Sequence, residues 1–234
     1  MTPAFAIIPA YQAAATIAEV VSDLRSTWQA ALGELPRVIV VNDGSTDATT
    51  QQAKRAGAEV IEHPSNRGKG AALATGLSRA AALNAAVAVT LDADGQHPAS
   101  EALRVFSHPA HPTALVLGVR DLRAAGAPRP NQCSNAFSNA WLSAFARRQL
   151  LDTQCGLRRY PVRETLALRA RASGFGFEAE VLLRAARAGW PIEHLSIRVI
   201  YPPAGVRTTH FHPWRDPFRI VLRVIYTAAT AGSK

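Results

Sequence analysis

Residues 86–97 read AVAVTLDADGQH, an apolar run that ends in two aspartates two positions apart. A short apolar run bounded by turn residues is typical of a strand buried on both faces. Beyond the strand end the chain need not alternate between faces, so Asp92 and Asp94 can reach one divalent cation together. Mg²⁺ and Mn²⁺ prefer carboxylate oxygen and can clamp a diphosphate. The alternative is an Asp-rich turn, although Gln96 and His97 add further polar groups.

Two earlier apolar runs end in the same way. FAIIPAY at residues 5–11 and VIVVNDGSTD at residues 38–47 both pass from strand composition into turn residues. Apolar runs alternate with helical patterns through this half, which predicts an α/β fold with a mostly parallel central sheet and helices on both faces. Ligands of such sheets bind beyond the carboxyl ends of the strands. The loops that follow the three runs are therefore expected to converge on one site.

The element predictions cover most of the chain. Predicted strands are Phe5–Ala10, Val38–Val41, Glu59–Glu62, Ala86–Leu91, Leu115–Val119 and Ile192–Tyr201. Predicted helices are Ala15–Ala31, Thr46–Ala56, Ala71–Ala82, Asn131–Gln149, Phe177–Gly189 and Pro217–Ala229, and Asp152–Gly156 is a strand or a turn. We find no repeat and no linker, so we expect one domain, 1–234, with a nucleotide-binding half at 1–120 and an acceptor half at 121–234.

Two further features of the first half suit a nucleotide. A carboxylate at Asp43 can accept a hydrogen bond from a nucleobase ring N–H, and Ser45 or Thr46 can cap the next helix with Asp47 near its dipole. The cationic loop Asn66–Gly70 leads into a helix N-terminus, which suits phosphate. Neither a P-loop nor a Gly-x-Gly-x-x-Gly pattern is present, which argues against an NTPase and a dinucleotide-dependent dehydrogenase.

Acidic residues of the second half have two interpretations. Glu178 and Glu180 fall in the first turn of a predicted helix, where the macrodipole favours acids. Alternatively, one of them or Asp152 orients or deprotonates an acceptor.

The amino-acid composition limits the classes of molecule that the protein can bind. The formal net charge is +9, which attracts phosphates, anionic lipid headgroups or nucleic acid. Only 7% of the residues are aromatic, too few for the stacking platforms of a protein that binds single-stranded nucleic acid, so we expect no nucleic-acid partner.

Two cysteines form no disulfide framework. The chain shows no signal-peptide pattern and no run long enough to span a bilayer. We therefore expect a cytoplasmic protein, soluble or at the cytoplasmic face of the membrane.

Taken in order, these motifs resemble the family 2 glycosyltransferases, in the branch typified by dolichyl-phosphate mannosyl- and glucosyltransferases and their bacterial polyprenyl-phosphate relatives. The matching blocks are Ile8–Tyr11, Val41–Asp47, Asn66–Leu73, Leu91–Pro98 and Asp152–Arg158, with looser blocks at Phe177–Glu180 and Thr209–Phe211. The resemblance covers roughly residues 5–220, and its strength lies in five blocks in the right order.

The resemblance implies the GT-A fold and a single displacement that inverts the anomeric centre. It implies Mg²⁺ or Mn²⁺ on the donor diphosphate, held by Asp92, Asp94 and Gln96. It implies nucleotide-sugar contacts from Pro9, Ala10, Tyr11, Asp43, Lys69, Asp92, Ala93, Asp94, Arg120 and Arg207, with Arg129 as a further phosphate candidate. It places the predicted catalytic residues, Asp152 and Glu178, near the acceptor.

The family resemblance identifies the acceptor less directly than the donor. The resemblance implies a UDP- or GDP-sugar donor and a lipid or lipid-phosphate acceptor such as polyprenyl phosphate, with peripheral membrane contact. The alternatives are a nucleotidyltransferase of the same fold and transfer to a non-lipid hydroxyl. We expect no transmembrane anchor of the kind that many polyprenyl-phosphate enzymes carry, and the loop at Tyr201–His212 lacks the usual Ser-Lys. The predicted helix Phe218–Ala229 either lies on a bilayer surface or packs on the sheet.

Overall fold

Strands and helices alternate along most of the chain. The structure is a computed structural model that describes residues 3–170, 174 and 176–201. The strands within them are β1 Phe5–Ala10, β2 Arg37–Asn42, β3 Glu59–Glu62, β4 Val87–Thr90, β5 Leu115–Arg120, β6 Arg158–Pro161 and β7 Ile192–Ile197. The helices are α1 Ile17–Leu32, α2 Thr49–Arg55, α3 Lys69–Ala82, α4 Ala99–Phe106, α5 Arg129–Ala146, α6 Val162–Ala167 and α7 Gly176–Arg187.

The strands form one sheet in the order β3-β2-β1-β4-β6-β5-β7. All neighbouring pairs are parallel except those of β6, which runs antiparallel to both β4 and β5. The predicted α/β class with a mostly parallel sheet is therefore confirmed. Parallel strands need crossover helices, and these cover the sheet on both sides.

Each face of the sheet has its own apolar core. Along β1, Phe5 and Ile7 pack with α3, α5 and α7 on one face, whereas Ala6 and Ile8 pack with α1 and α4 on the other. Because both faces are buried, β1 and β2 read as continuous apolar runs rather than as alternating ones. On the second face the fully buried Trp28 donates its indole N–H to the Ala99 carbonyl at 3.2 Å, which ties α1 to α4.

The largest difference from the sequence predictions is β6. Arg158 and Arg159 open this strand and are buried, although two adjacent arginines do not suggest an interior strand. Their guanidinium groups donate to backbone carbonyls, Arg158 to Cys155 at 2.7 Å and Arg159 to His108 at 2.6 Å. Helices α4 and α6 were not predicted either, and the predicted strand at 192–201 ends at Ile197.

Several predictions lie outside the described residues: Arg207, the loop at 202–213, the block Thr209–Phe211 and the last helix. Within the described part of the chain, no helix combines the length and apolarity needed to cross a bilayer.

Candidate active site

The carboxyl ends of β1, β2 and β4 lie side by side at one edge of the sheet. Ala10 and Asn42 form the last pair of β1 and β2, and Ile7 is the partner of Thr90 at the end of β4. The backbone N–H of Asp43 donates to the Ala10 carbonyl at 2.8 Å. The predicted convergence of the loops after these three strands is confirmed.

The loops after β1 and β2 are joined by Gln12, a residue that the sequence did not single out. Gln12 has a left-handed φ of 52°, and its backbone N–H donates to the Ser45 hydroxyl at 2.9 Å. Its side-chain amide donates to the Thr46 hydroxyl at 3.0 Å and accepts from the Thr46 backbone N–H at 3.1 Å. Tyr11, which lies between Gln12 and the buried Ala10, is 37% exposed at the carboxyl end of the sheet.

Helix α2 consequently begins later than predicted, at Thr49, and its N-cap residue is Ala48. Ser45 and Thr46 bind Gln12 instead of capping the helix. Asp47 accepts from the Thr49 backbone N–H at 3.0 Å and from the Ala14 backbone N–H at 3.0 Å. Partial burial raises the pKa of Asp47, but the hydrogen bonds from Thr49 and Ala14 lower it overall.

Asp43 holds the loop that precedes α3. Its Oδ1 accepts from the Arg67 backbone N–H at 2.9 Å, and its Oδ2 accepts from the Gly68 backbone N–H at 2.7 Å. The ring of His63 completes the set, with Nδ1 at 2.6 Å from Asp43 Oδ1 and Nε2 at 3.0 Å from the Thr75 hydroxyl. His63 was not predicted, because nothing in its local sequence shows that it faces Asp43.

Lys69, in the first turn of α3, lies between two carboxylates. Its ammonium is 2.7 Å from Asp92 Oδ1 and 3.2 Å from Glu178 Oε2. Burial lowers the pKa of Lys69, but the charges of Asp92 and Glu178 raise it above its ordinary value. Burial likewise raises the pKa of Asp92, and Lys69 and His97 lower it overall. The site therefore carries a charged lysine and an ionised Asp92 at neutral pH.

The other residues of the acidic loop differ in their exposure to solvent. Asp94 is exposed and accepts from the Gln96 backbone N–H at 3.0 Å. Gln96 is buried, and its carbonyl accepts from the Ile200 backbone N–H at 2.9 Å. Burial lowers the pKa of His97 to about 4 although Asp92 raises it, so this imidazole is neutral at pH 7. Its Nε2 lies 3.9 Å from Asp92 Oδ2, too far for a hydrogen bond.

Arg120, at the end of β5, forms a two-pronged ion pair with Asp152. Its Nε donates to Oδ2 at 2.8 Å and its Nη2 to Oδ1 at 3.0 Å, while its backbone N–H donates to Oδ2 at 3.1 Å. Burial lowers the pKa of Arg120, but the bonds to Asp152 raise it overall. Both oxygens of the predicted catalytic Asp152 are therefore engaged by one cation.

Glu178 has a second cation behind it. Arg158 Nε lies 3.9 Å from Glu178 Oε1, and Arg158 Nη2 donates to the Thr153 carbonyl at 2.7 Å. Glu178 sits in the first turn of α7, as predicted, whereas Glu180 falls just beyond that turn, and both are buried and not solvated. A chain of alternating charges thus runs from Asp92 through Lys69 and Glu178 to Arg158. The contact of Arg158 with Glu178 was not predicted, because only the fold brings β6 next to α7.

Gly156 provides space for the Asp92 carboxylate. A Cβ at position 156 would overlap both oxygens of Asp92. Thr90, at the end of β4, donates its hydroxyl to the Gly156 carbonyl at 2.9 Å and fixes this approach. A neighbouring residue, Cys155, is buried, and burial raises the pKa of its thiol to about 12. Cys155 is therefore an inert, protonated thiol.

The predicted metal residues provide only part of a coordination shell. In the portion of the chain that is described, no group of three or more His, Cys, Asp or Glu side chains is arranged to hold a metal. Asp92 and Asp94 supply two carboxylates, and the Asp92 side chain is 32% exposed. Mg²⁺ is usually bound by one or two carboxylates together with water and substrate phosphates. The donor set fits a cation that is shared with a diphosphate, and the roles of Asp92, Asp94 and Gln96 stay predictions.

Comparison with known proteins assigns the family. Residues 5–170 match the family described as Glycosyl transferase family 2. The chain belongs to this family. Glycosyltransferase AglJ of Haloferax volcanii is 29% identical over 226 residues, which cover 96% of this chain and 71% of that protein. The UDP-N-acetylglucosamine–dolichyl-phosphate N-acetylglucosaminyltransferase of Methanococcus voltae is 33% identical over 119 residues, 44% of this chain and 45% of that protein.

The fold of this glycosyltransferase is the GT-A fold. The structure of glucosyl-3-phosphoglycerate synthase from Mycobacterium tuberculosis in complex with Mn²⁺, UDP and phosphoglyceric acid aligns with a TM-score of 0.70 at 22% identity. The alignment covers 99% of this chain and 79% of that one. The predicted family, fold and enzyme class are confirmed.

Proposed function

We propose that this glycosyltransferase moves a sugar from a UDP- or GDP-sugar, with inversion, to a polyprenyl phosphate or another membrane lipid. The donor diphosphate would be held with Mg²⁺ or Mn²⁺ at Asp92 and Asp94. Two findings on other proteins support the choice of substrates. The relative from Methanococcus voltae is named for transfer from a UDP-sugar to dolichyl phosphate, and the solved synthase contains UDP, Mn²⁺ and a phosphorylated acceptor.

The observation that carries the proposal is the setting of Asp92. Its carboxylate lies at the strand edge with one oxygen 2.7 Å from the Lys69 ammonium and with 32% of the side chain exposed. A divalent cation bound there would neutralise charge on the leaving diphosphate. Lys69 would contribute a fixed positive charge beside the same phosphates, since Glu178 and Asp92 hold it from two sides.

The engaged state of the predicted bases favours an anionic acceptor. A general base must be within reach of the acceptor proton. Asp152 has both oxygens on Arg120 at 2.8 and 3.0 Å. Glu178 Oε2 lies 3.2 Å from Lys69, whereas its buried Oε1 accepts no hydrogen bond from the described residues and faces Arg158 at 3.9 Å. A phosphate acceptor is already a nucleophilic anion and needs cationic orientation instead of a base. We therefore propose that Asp152 and Glu178 position Arg120 and Lys69.

The alternative of nucleotidyl transfer has no support in the site. Such enzymes usually carry a Gly-rich loop with a basic residue after the first strand, whereas this chain reads Pro9-Ala10-Tyr11-Gln12-Ala13 there. Family membership also assigns glycosyl transfer. Transfer to a non-lipid acceptor remains as an outcome of the acceptor assay.

The test is release of UDP or GDP from a panel of nucleotide sugars, with Mn²⁺ and then with EDTA, followed by transfer to polyprenyl phosphate in detergent. We expect one nucleotide to be released only with metal, and Asp92→Asn to lower the rate at least about 100-fold. Glu193→Gln, which changes an exposed carboxylate on β7, is the matched control and should retain the rate. Equal release in EDTA would refute the metal site, and transfer only to soluble hydroxyl acceptors would refute the lipid acceptor.

A further inference from the structure

Helix α5 presents an uncharged face to solvent. Between Pro130 and Ala146 the helix has no charged residue. Its exposed positions recur at intervals of three and four, so they lie on one side of the helix, which we call the outer face of α5: Cys133, Ala136, Phe137, Ala140 and Ala144. Surface helices of globular proteins usually place charged residues on the side opposite the core. The outer face of α5 departs from this rule over its whole length.

One aromatic ring, that of Phe137, lies on this face, and the partly buried rings of Trp141 and Phe145 support it from the core side. Phe137 is 55% exposed and stacks on Trp141 with ring centroids 6.1 Å apart. Trp141 in turn contacts Phe145 at 5.1 Å. The three rings follow one another at a spacing of four residues, one helical turn apart. Two partly buried rings restrict the rotamers of the exposed Phe137. Its side chain therefore loses little conformational entropy when a partner covers the outer face of α5.

The charged residues within 122–151, between the exposed Asp121 and the buried Asp152, have a single sign. Residues 122–151 contain four arginines and no acidic residue. All four arginines are exposed: Arg123, Arg129, Arg147 and Arg148. Arg129 opens the helix, and Arg147 and Arg148 follow its last residue. The uncharged outer face is therefore bounded by positive charge at both ends.

The inner side of α5 is fastened to the site. Ser138 and Thr153 share a hydroxyl–hydroxyl hydrogen bond of 2.8 Å, and Asn139 accepts from the Thr153 backbone N–H at 2.8 Å. Gln154 donates to the Ser134 hydroxyl at 3.2 Å. The loop that contains Thr153 and Gln154 also contains Asp152 and Gly156, which contact Arg120 and Asp92. The helix thus connects the outer face to the acceptor side of the site.

We infer that the outer face of α5 docks this enzyme on an anionic lipid bilayer. The exposed Phe137 ring enters the interface, while arginines at the ends of the helix meet lipid phosphates. A second copy of the chain is a poorer occupant, because a two-fold contact would bring the same positive charges together. The inference rests on the proposed function, since a lipid acceptor explains why a membrane surface adjoins the acceptor side.

The experiment is co-sedimentation of the full chain with phosphatidylcholine vesicles, alone or with about 30% phosphatidylglycerol. We expect binding to the anionic vesicles at least about tenfold stronger than to the neutral ones. Phe137→Ser should weaken binding about tenfold, because an apolar ring no longer enters the interface. Leu35→Ser, at a 45% exposed apolar residue before β2, should leave binding unchanged.

A charge variant tests the second part of the surface. Arg123→Gln/Arg147→Gln should weaken binding to anionic vesicles about tenfold and leave neutral vesicles unaffected. Arg37→Gln/Arg55→Gln removes the same charge from two exposed positions on other elements and should have a smaller effect. Metal-dependent donor hydrolysis, measured without vesicles, should be unchanged in all of these variants, which shows that they fold.

The outcomes separate this inference from the proposed function. Vesicle binding that is lost equally in Phe137→Ser and Leu35→Ser would overturn the surface, and so would donor hydrolysis without any vesicle binding. A concentration-dependent dimer that Phe137→Ser converts to a monomer, without vesicle binding, would also overturn it. Vesicle binding through α5 without transfer to polyprenyl phosphate would support the surface and contradict the proposed acceptor.

Discussion

The loop after β2 and the loop before β6 each bury an aspartate that faces three donors, but the donors differ. Asp43 takes the backbone N–H groups of Arg67 and Gly68 and faces the ring of His63. Asp152 takes three N–H groups that all belong to Arg120. The first aspartate thus fixes the course of a backbone loop, and the second fixes one side-chain cation.

The difference shows how acids at one sheet edge divide their roles. Asp43 shapes the loop that contains Lys69, Asp152 orients Arg120, and the Asp92 side chain stays 32% exposed. All three aspartates lie next to the end of a strand in the sequence. Only their hydrogen-bond and ion-pair partners in the fold distinguish their roles. Four substitutions or titrations test this division, in order of the expected change in the free energy of unfolding.

The largest effect is expected for Asp152→Asn. The Arg120 side chain is only 13% exposed, so the substitution leaves a mostly buried cation without its counter-charge. We expect the free energy of unfolding to fall by about 3–5 kcal/mol, measured by urea denaturation. Arg120→Met in the same chain should restore much of the loss, because a paired charge is then replaced by an apolar side chain. A loss below about 1 kcal/mol for Asp152→Asn would show that the pair is not a buried anchor.

Asp43→Asn should have an intermediate effect. The substitution replaces one carboxylate oxygen by an NH₂ group, which cannot accept a hydrogen bond from the donors that surround it. The free energy of unfolding should therefore fall by about 1–3 kcal/mol. Only proline lacks a backbone N–H, and it cannot adopt the φ of 89° at Gly68, so rescue of the kind expected for Asp152 should fail. Hydrogen exchange at these two amides should accelerate relative to Ala71. Unchanged exchange would show that Asp43 does not hold this loop.

Titration of His97 should have a smaller effect. Burial lowers its pKa to about 4 in the folded chain, whereas an unfolded chain binds the proton near pH 6.5. The unfolded state therefore gains protons first as the pH falls, and the free energy of unfolding should drop by on the order of 1 kcal/mol between pH 7 and 5.5. His97→Asn should remove this part of the pH dependence. An imidazole NMR titration with a midpoint near 6.5 would contradict the prediction.

Gly156→Ala should have the smallest effect on stability and a selective one on the site. The new Cβ meets the far end of the Asp92 side chain, which can rotate away, so the free energy of unfolding should change by less than about 1 kcal/mol. The displaced carboxylate should weaken metal-dependent nucleotide binding about tenfold, as measured by calorimetry. Unchanged nucleotide binding would show that the position of Asp92 is not critical.

The sequence predicted the first half of the fold well because its strands are continuous apolar runs. β1 and β3 have the predicted bounds, and β2 and β4 each differ from the prediction by one residue at both ends. The second half was harder, because β6 contains two arginines whose charges are satisfied by carbonyls of distant segments. Gln12, His63 and Arg158 were missed for a related reason. Each finds its partners across loops that only the folded sheet brings together, so no local pattern marks them.

The position of β6 has a consequence for synthesis of the chain. The strand fills the space between β4 and β5, and it lies far beyond β4 in sequence. While the ribosome adds residues 91–157, the edge of β4 that β6 will occupy has no partner. At roughly 5–20 residues per second, that edge stays open for about 3–13 s. Open strand edges template aggregation, so a slow codon run in this stretch lowers the soluble yield, and early binding of a chaperone raises it.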